Sequence, residues 1–240
     1  MAFGLLMMAA APSSGKGKGA SGRGCPSEMA TLHDGSHAFC IDRYEASLEE
    51  IENGKSKPHS PFEAVSGKMV RALSRRGAVP QAYISKTEAE AACGRAQKRL
   101  CTESEWVHAC EGEAKRLYPY GESKKVNACN DHGKAPVPLL HGNMGEAAYG
   151  SFTAMNDPEL NRVPGTLART GSHAKCKTPE GVFDLVGNLH EWVSDPAGTF
   201  RGGYYLDTHR NGEGCHYRTD AHDVSYHDYS TGFRCCRDRS

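Results

Sequence analysis

Residues Gly181–Asp195, GVFDLVGNLHEWVSD, place two apolar pieces on either side of Gly187 and Asn188. That pattern predicts a tight turn between two short strands. Two carboxylates, Asp184 and Glu191, bracket the turn. With the carbonyls between them they form a set of oxygen donors that suits a hard cation such as calcium. From these residues alone, a hairpin with exposed acids is the favoured reading. The surrounding sequence has to decide.

Upstream, two helices are announced by their starts. In ISKTEAEAACGRAQKRL (residues 84–100) Ser85 is an N-cap with Glu88 at N3, a capping box that predicts a helix to about Gln97. In CTESEWVHACEG (residues 101–112) Thr102 and Glu105 repeat the box, which puts Trp106, Ala109 and Cys110 on one helical face. Downstream, TFRGGYYL (residues 199–206) and STGFRCC (residues 230–236) are strand candidates, the first bent by Gly202 and Gly203. Residues 121–179 are rich in Gly, Pro, Asn and Asp and predict a long irregular region of the kind that disulfides or metal ions hold.

The chain has 240 residues, enough for one large or two small domains with a buried core. Its hydrophobic content is 38%, and 27 Gly bring it near the globular norm of about 45–50%. Twenty-nine Lys and Arg balance twenty-nine Asp and Glu, and no basic stripe interleaves with aromatics along the sequence. Nucleic acid and anionic membrane are therefore disfavoured as partners, and a small molecule, metal or peptide is expected. No segment approaches 18 consecutive apolar residues, so no membrane span is expected.

Ten Cys point to an oxidising compartment and a disulfide framework, whose connectivity the count leaves open among roughly nine hundred pairings. Paired CxxC motifs are missing, which disfavours zinc. At the amino terminus FGLLMMAAA (residues 3–11) resembles a signal-peptide core ending in Ala9-x-Ala11, though without basic residues in front. PSSGKGKGASGRG (residues 12–24) reads as a flexible linker. We therefore expect a signal-like segment and linker over 1–24, one folded domain over 25–240, and a secreted or periplasmic monomer.

Six motifs now stand in a telling order: FCIDRYEAS (39–47), KRLCTESEWVHAC (98–110), YPYG (118–121), the opening stretch, RGGYY (201–205) and TGFRCC (231–236). In this order they resemble the formylglycine-generating enzyme family, also called the sulfatase-modifying factor family. The resemblance covers about Phe39 to Cys236. It implies an α+β fold, a variant of the C-type-lectin-like fold with little regular secondary structure, supported by disulfides and calcium. It implies calcium on the side chains of Asp184 and Glu191 and the backbone of Gly187 and Leu189. A second calcium would fall near Asn127 or Asn130. The implied disulfides join Cys93 to Cys235 and Cys110 to a Cys after the RGG strand, for which Cys215 is nearest.

The family's oxidase converts a client Cys to formylglycine with oxygen and a copper(I) ion on two thiolates, soft ligands that suit copper(I). This sequence departs from that pattern. Asp207 stands at the first copper-ligand position, Tyr204 replaces the Ser after Gly-Gly, and His190 replaces the Trp of the family's GN-x-W-E-W motif. Cys215 is near the second Cys position after an insertion, and it is a candidate catalytic thiol only if it is not bridged. His209, His216, His222 and His227 crowd the tail and could hold copper or iron. Relatives that use a three-His iron site draw ligands from an added helical domain, so surface or turn roles are favoured for these four. His33 and His37 lie in a turn sequence, and no GxSxG motif supports a hydrolase.

His190, Arg201, Tyr204 and Asp207 mark the expected binding face. Tyr204, Tyr205, Tyr217, Tyr226 and Tyr229 supply aromatic surface there, with at least half expected in the core. The resulting expectation is an exported, divergent oxidoreductase acting on a peptide or small-molecule client without the dithiolate copper site. Periplasmic siderophore-maturing oxidases share the FCIDRYE opening and keep that reading open. The alternative is a non-catalytic, calcium-supported, lectin-like binding or accessory module.

Overall fold

A computed structural model describes Met1 and residues 24–35 and 37–239; the apolar run at 3–11 and the linker up to residue 23 lie outside the described residues. Strands β1 (Met29–Asp34) and β2 (His37–Asp42) form an antiparallel hairpin in which Asp34 faces His37. Leu32, Phe39 and Ile41 turn inward to the main core around Trp106 and Val186. Next, β3 (Ala46–Glu52) pairs with β4 (Lys55–Pro58) and β5 (Val70–Ser74) in a separate three-stranded sheet.

Both predicted capping boxes are present. Helix α1 (Lys86–Arg95) starts at Ser85, whose side chain accepts the Glu88 N–H, and it stops short of Gln97, which adopts a left-handed φ of 57°. After β6 (Arg99–Leu100), α2 (Glu103–Glu111) starts at Thr102 in the same way. The region expected to be irregular contains short helical pieces, among them α3 (Pro136–His141) and α4 (Phe152–Met155), and the Cys129–Cys176 disulfide ties its ends together.

The opening stretch is not a hairpin. Only β7 (His190–Trp192) is a strand, and it lies between β10 (Thr231–Phe233), parallel, and β8 (Phe200–Arg201), antiparallel, with β9 (Arg218–Thr219) outside β8. Gly187 and Asn188 do turn the chain, with φ of 80° and 61°. The turn, however, is docked on another segment, since the Asn188 N–H donates to the Asn130 carbonyl at 2.9 Å. The acids expected to be exposed are buried, Asp184 at 5% and Glu191 at 1% exposure.

The predicted STGFRCC strand breaks at Arg234, and β11 (Cys235–Asp238) joins β1, β2 and β6 in the first sheet. Side chains alternate across a strand, so neighbouring cysteines bond in opposite directions, Cys235 to Cys93 on α1 and Cys236 to Cys101 before α2. Cys25–Cys40 and Cys110–Cys215 complete five disulfides.

Candidate functional site

The floor of the site is a buried charge cluster. Where β10 gives way to β11, Arg234 points into the interior with no exposed side-chain area. It donates from Nε to Glu191 Oε2 and from Nη2 to Glu191 Oε1, each at 2.6 Å. Its remaining donors reach the carbonyls of Asp42 (3.1 Å) and Phe183 (2.8 Å), and Trp106 Nε1 adds a 2.7 Å bond to Glu191 Oε2. Beside this pair lies Glu45, which accepts Asn188 Nδ2 at 2.5 Å and the Leu189 N–H at 3.1 Å and so fixes the turn.

Burial, with the Asp184 and Glu191 charges added, holds the Glu45 carboxyl well above the usual carboxylate range. Burial likewise pushes Asp184 up to about 7. Fully ionised, three carboxylates around one guanidinium would carry a surplus of negative charge, which the raised Glu45 and Asp184 carboxyls relieve by holding protons. Asp184 Oδ2 accepts the Gly171 N–H at 2.7 Å, and no donor reaches Oδ1 among the described residues. Carboxylate and carbonyl oxygens are the donors a hard cation such as calcium takes. Of these acids Asp184 keeps Oδ1 available among the described residues, whereas both Glu191 oxygens are engaged by Arg234 and Trp106. Asn127 and Asn130, expected near a second calcium, differ in their surroundings. Asn127 is exposed, and Asn130 is a strut whose amide donates to the Thr166 carbonyl (3.0 Å) and Asn188 Oδ1 (2.9 Å).

Above the floor runs the RGG segment. Gly202 has a φ of 81°, and a Cβ there would meet the Leu185 carbonyl oxygen at 2.5 Å and the Trp106 ring at 3.0 Å. Only glycine lets the backbone pass this close. Arg201 is buried over the Trp106 ring at 5.6 Å, donates to the Cys215 carbonyl at 2.9 Å and reaches Glu103 at 3.3 Å. His190 is buried too, packed among Phe200, Tyr204 and Tyr217 with ring centroids 4.8–5.4 Å away. Its Nδ1 has no partner, and burial pushes its pKa down to about 3. The imidazole is therefore neutral packing and no titrating base at neutral pH. Tyr205, Tyr217 and Tyr229 are buried, while Tyr204 and Tyr226 keep partial exposure.

The two candidate chemistries of this face, a free Cys215 thiol and a histidine metal site, do not find their geometry among the described residues. Cys215 is bonded to Cys110, and no free cysteine occurs among the described residues, so Cys215 offers no thiolate. Nor does the structure bring the four tail histidines together. His209 sits 3.4 Å from Asp207, His216 3.0 Å from Glu111 and His227 2.7 Å from Asn156 Oδ1, while His222 packs on Phe200 and Tyr226. The one close trio of potential ligands among the described residues is His37, Glu105 and Asp238, and Arg99 already pairs with both of its acids.

Asp207, expected to stand where the family has its first copper ligand, is a loop clip. Its Oδ1 accepts the N–H groups of His209 and Arg210, each at 3.0 Å, and Oδ2 accepts the Tyr217 hydroxyl at 3.2 Å. Burial alone would raise this carboxyl, but these hydrogen bonds hold it below the usual range.

Of the four expected binding residues, Tyr204 and Asp207 line an open cleft of about 520 Å³, whereas His190 and Arg201 lie beneath the surface. Sequence reasoning missed the rest of the lining, chiefly Glu146, Tyr149, Leu206 and Arg210. Glu146 and Tyr149 come from the region read as irregular, where no periodicity could mark them. Glu45 and Arg234 sit inside quoted motifs, yet nothing in those motifs assigns them a buried charge role.

A model of the sulfatase-modifying factor enzyme 1-like domain matches residues 15–239. Over 140 residues, 54% of this chain, the sequence is 29% identical to the inactive C-alpha-formylglycine-generating enzyme 2 of Mus musculus. Over 123 residues, 48% of this chain, it is 30% identical to the formylglycine-generating enzyme of the same species. The matched parts span 39% and 27% of those relatives' lengths. Among solved structures, PvdO from Pseudomonas aeruginosa aligns with a TM-score of 0.48 at 14% identity, covering 88% of this chain and 90% of that one.

Proposed function

Because the chain belongs to the sulfatase-modifying factor enzyme 1-like domain family, we propose that it is a binding member of that family, holding a peptide segment or small molecule in the cleft beside Tyr204. The observation that carries this reading is the Cys110–Cys215 disulfide together with the use of Asp207 as a loop clip. A copper(I) dithiolate needs two free thiolates on this face, and both positions have other work. The name of the mouse relative called inactive lends support to a non-catalytic member. A divergent oxidoreductase has less behind it, since the tail histidines lie apart and each has its own neighbour.

The cleft presents Arg210 and Glu146 beside Tyr149 and Tyr204, a mixture that suits a ligand carrying both charge signs around an apolar or aromatic group. Calcium belongs to the same proposal as a structural ion at Asp184, Gly187, Leu189 and Glu191, where it would offset the surplus charge. Export to an oxidising compartment is supported by the five disulfides. Among the described residues no helix is long and apolar enough to cross a membrane.

The test is to pan a random peptide library on the native protein and measure the enriched peptides by calorimetry. We expect saturable binding that weakens about tenfold in Tyr149→Ala, whose half-exposed ring is lost without disturbing the core. Copper(I)-dependent oxygen consumption with a thiol peptide would overturn the proposal, as would peptide binding indifferent to Tyr149.

A further inference from the structure

A second cleft, of about 400 Å³, opens where the segment after α2 meets the segment around Cys176. Arg116 and Lys125 line it from one side and Lys175 and Lys177 from the other, with Tyr120 and Thr178 between. No carboxylate is in the lining. Neighbouring cations are paired, Lys115 with Glu111 and Lys124 with Asp131, but no ion pair reaches these four among the described residues. Lys125 and Lys177 lie over aromatic faces, their Nζ atoms 5.5 Å from the Tyr120 ring and 5.9 Å from the Phe183 ring.

Arg116 supplies a second, independent observation. Its Nε and Nη2 are buried without any hydrogen-bond acceptor. A guanidinium desolvated along one edge, with no counter-charge nearby, is an unfavourable arrangement unless something supplies the missing negative charge. No acid among the described residues pairs with it, and the Arg116 side chain lines the cleft, where an anion could approach. Its size is within the range of small-ligand sites.

We propose that this cleft binds a tetrahedral oxyanion, the phosphate or sulfate group of a monoester, with Arg116 as the central cation and Lys125, Lys175 and Lys177 around it. The geometry explains why four uncompensated cations face one concavity in a chain whose charges otherwise balance. It also explains how a protein with no basic run in its sequence acquires a basic pocket, because the fold joins residues 116–125 to residues 174–179. The proposal does not depend on the Tyr204 cleft.

The test is calorimetric titration of the full chain with inorganic phosphate and with inorganic sulfate at low ionic strength. Saturable binding of at least one anion is expected, weakened by added salt and roughly tenfold by Arg116→Gln, as loss of a charged hydrogen-bonding partner implies. The double variant Lys175→Gln/Lys177→Gln alters only exposed side chains and should weaken binding comparably, which guards against an Arg116 variant that folds poorly. Arg210→Gln, in the other cleft, should leave the affinity unchanged. Tighter phosphate binding points to a phosphate ester and tighter sulfate binding to a sulfate ester. No saturable binding of either anion, or binding that survives both cleft variants or falls equally with Arg210→Gln, would overturn the proposal.

Discussion

Arg234 and Arg116 are the same side chain in opposite circumstances. Every side-chain nitrogen of Arg234 donates to a named acceptor, with Glu191 holding it through both oxygens. Arg116 has two buried nitrogens that donate to nothing. The first arrangement completes itself and serves the fold; the second is incomplete within the protein. Arg201 stands between them, with Nη1 and Nη2 engaged and Nε without a partner. How fully a buried cation is satisfied thus separates scaffold from candidate ligand site.

The comparison can be broken most directly at Arg234. Arg234→Gln leaves Glu191 buried with its charge uncompensated and should cost about 3–5 kcal/mol in denaturant unfolding. Arg116→Gln should cost under about 1 kcal/mol, because no partner is orphaned. Similar costs for the two variants would erase the distinction drawn between them.

Next in size is the staple beside Arg234. Cys93→Ala/Cys235→Ala opens a loop of 142 residues and should lower stability by about 2–5 kcal/mol, read from the denaturant midpoint. An unchanged midpoint would mean that α1 is held to β11 by packing alone.

The smallest effect is expected at the rim of the three-stranded sheet, where charges are partly exposed. Hydrogen bonds from Lys68, His59 and Lys57 hold the Glu50 carboxyl down at about 2, against an ordinary 4.5. A folded-state value below the unfolded one stabilises above pH 4.5, and the contribution fades as pH falls toward 2. Wild type and Glu50→Gln should therefore differ most near neutral pH and converge in acid. A constant gap across that range would show that Glu50 acts by packing and not by charge.

Local signals were the legible part of this fold. Ser85 and Thr102 start helices because each cap and its Glu lie three residues apart, within one turn of chain. The Cys93–Cys235 and Cys110–Cys215 pairs were implied only through the family resemblance, since counting cysteines cannot choose among pairings. Long-range partners explain what was missed. The turn at Asn188 was read as a hairpin because its partners, Asn130 and Glu45, are 58 and 143 residues away. Likewise the tail histidines are close in sequence, but turns at Gly212 and Gly214, with φ of 105° and 58°, lie between His209 and His216. Of the first cleft only Tyr204 and Asp207 were expected, and the second was not visible, because each is assembled from segments with no shared periodicity.

The claim that this chain binds and does not oxidise rests on the state of one sulfur. Alkylating the native, unreduced protein and mapping its peptides by mass spectrometry reads that state directly. The account predicts no labelled cysteine and a recovered Cys110–Cys215 cross-linked peptide. A stoichiometrically labelled Cys215 would contradict it and return thiol chemistry to the RGG face.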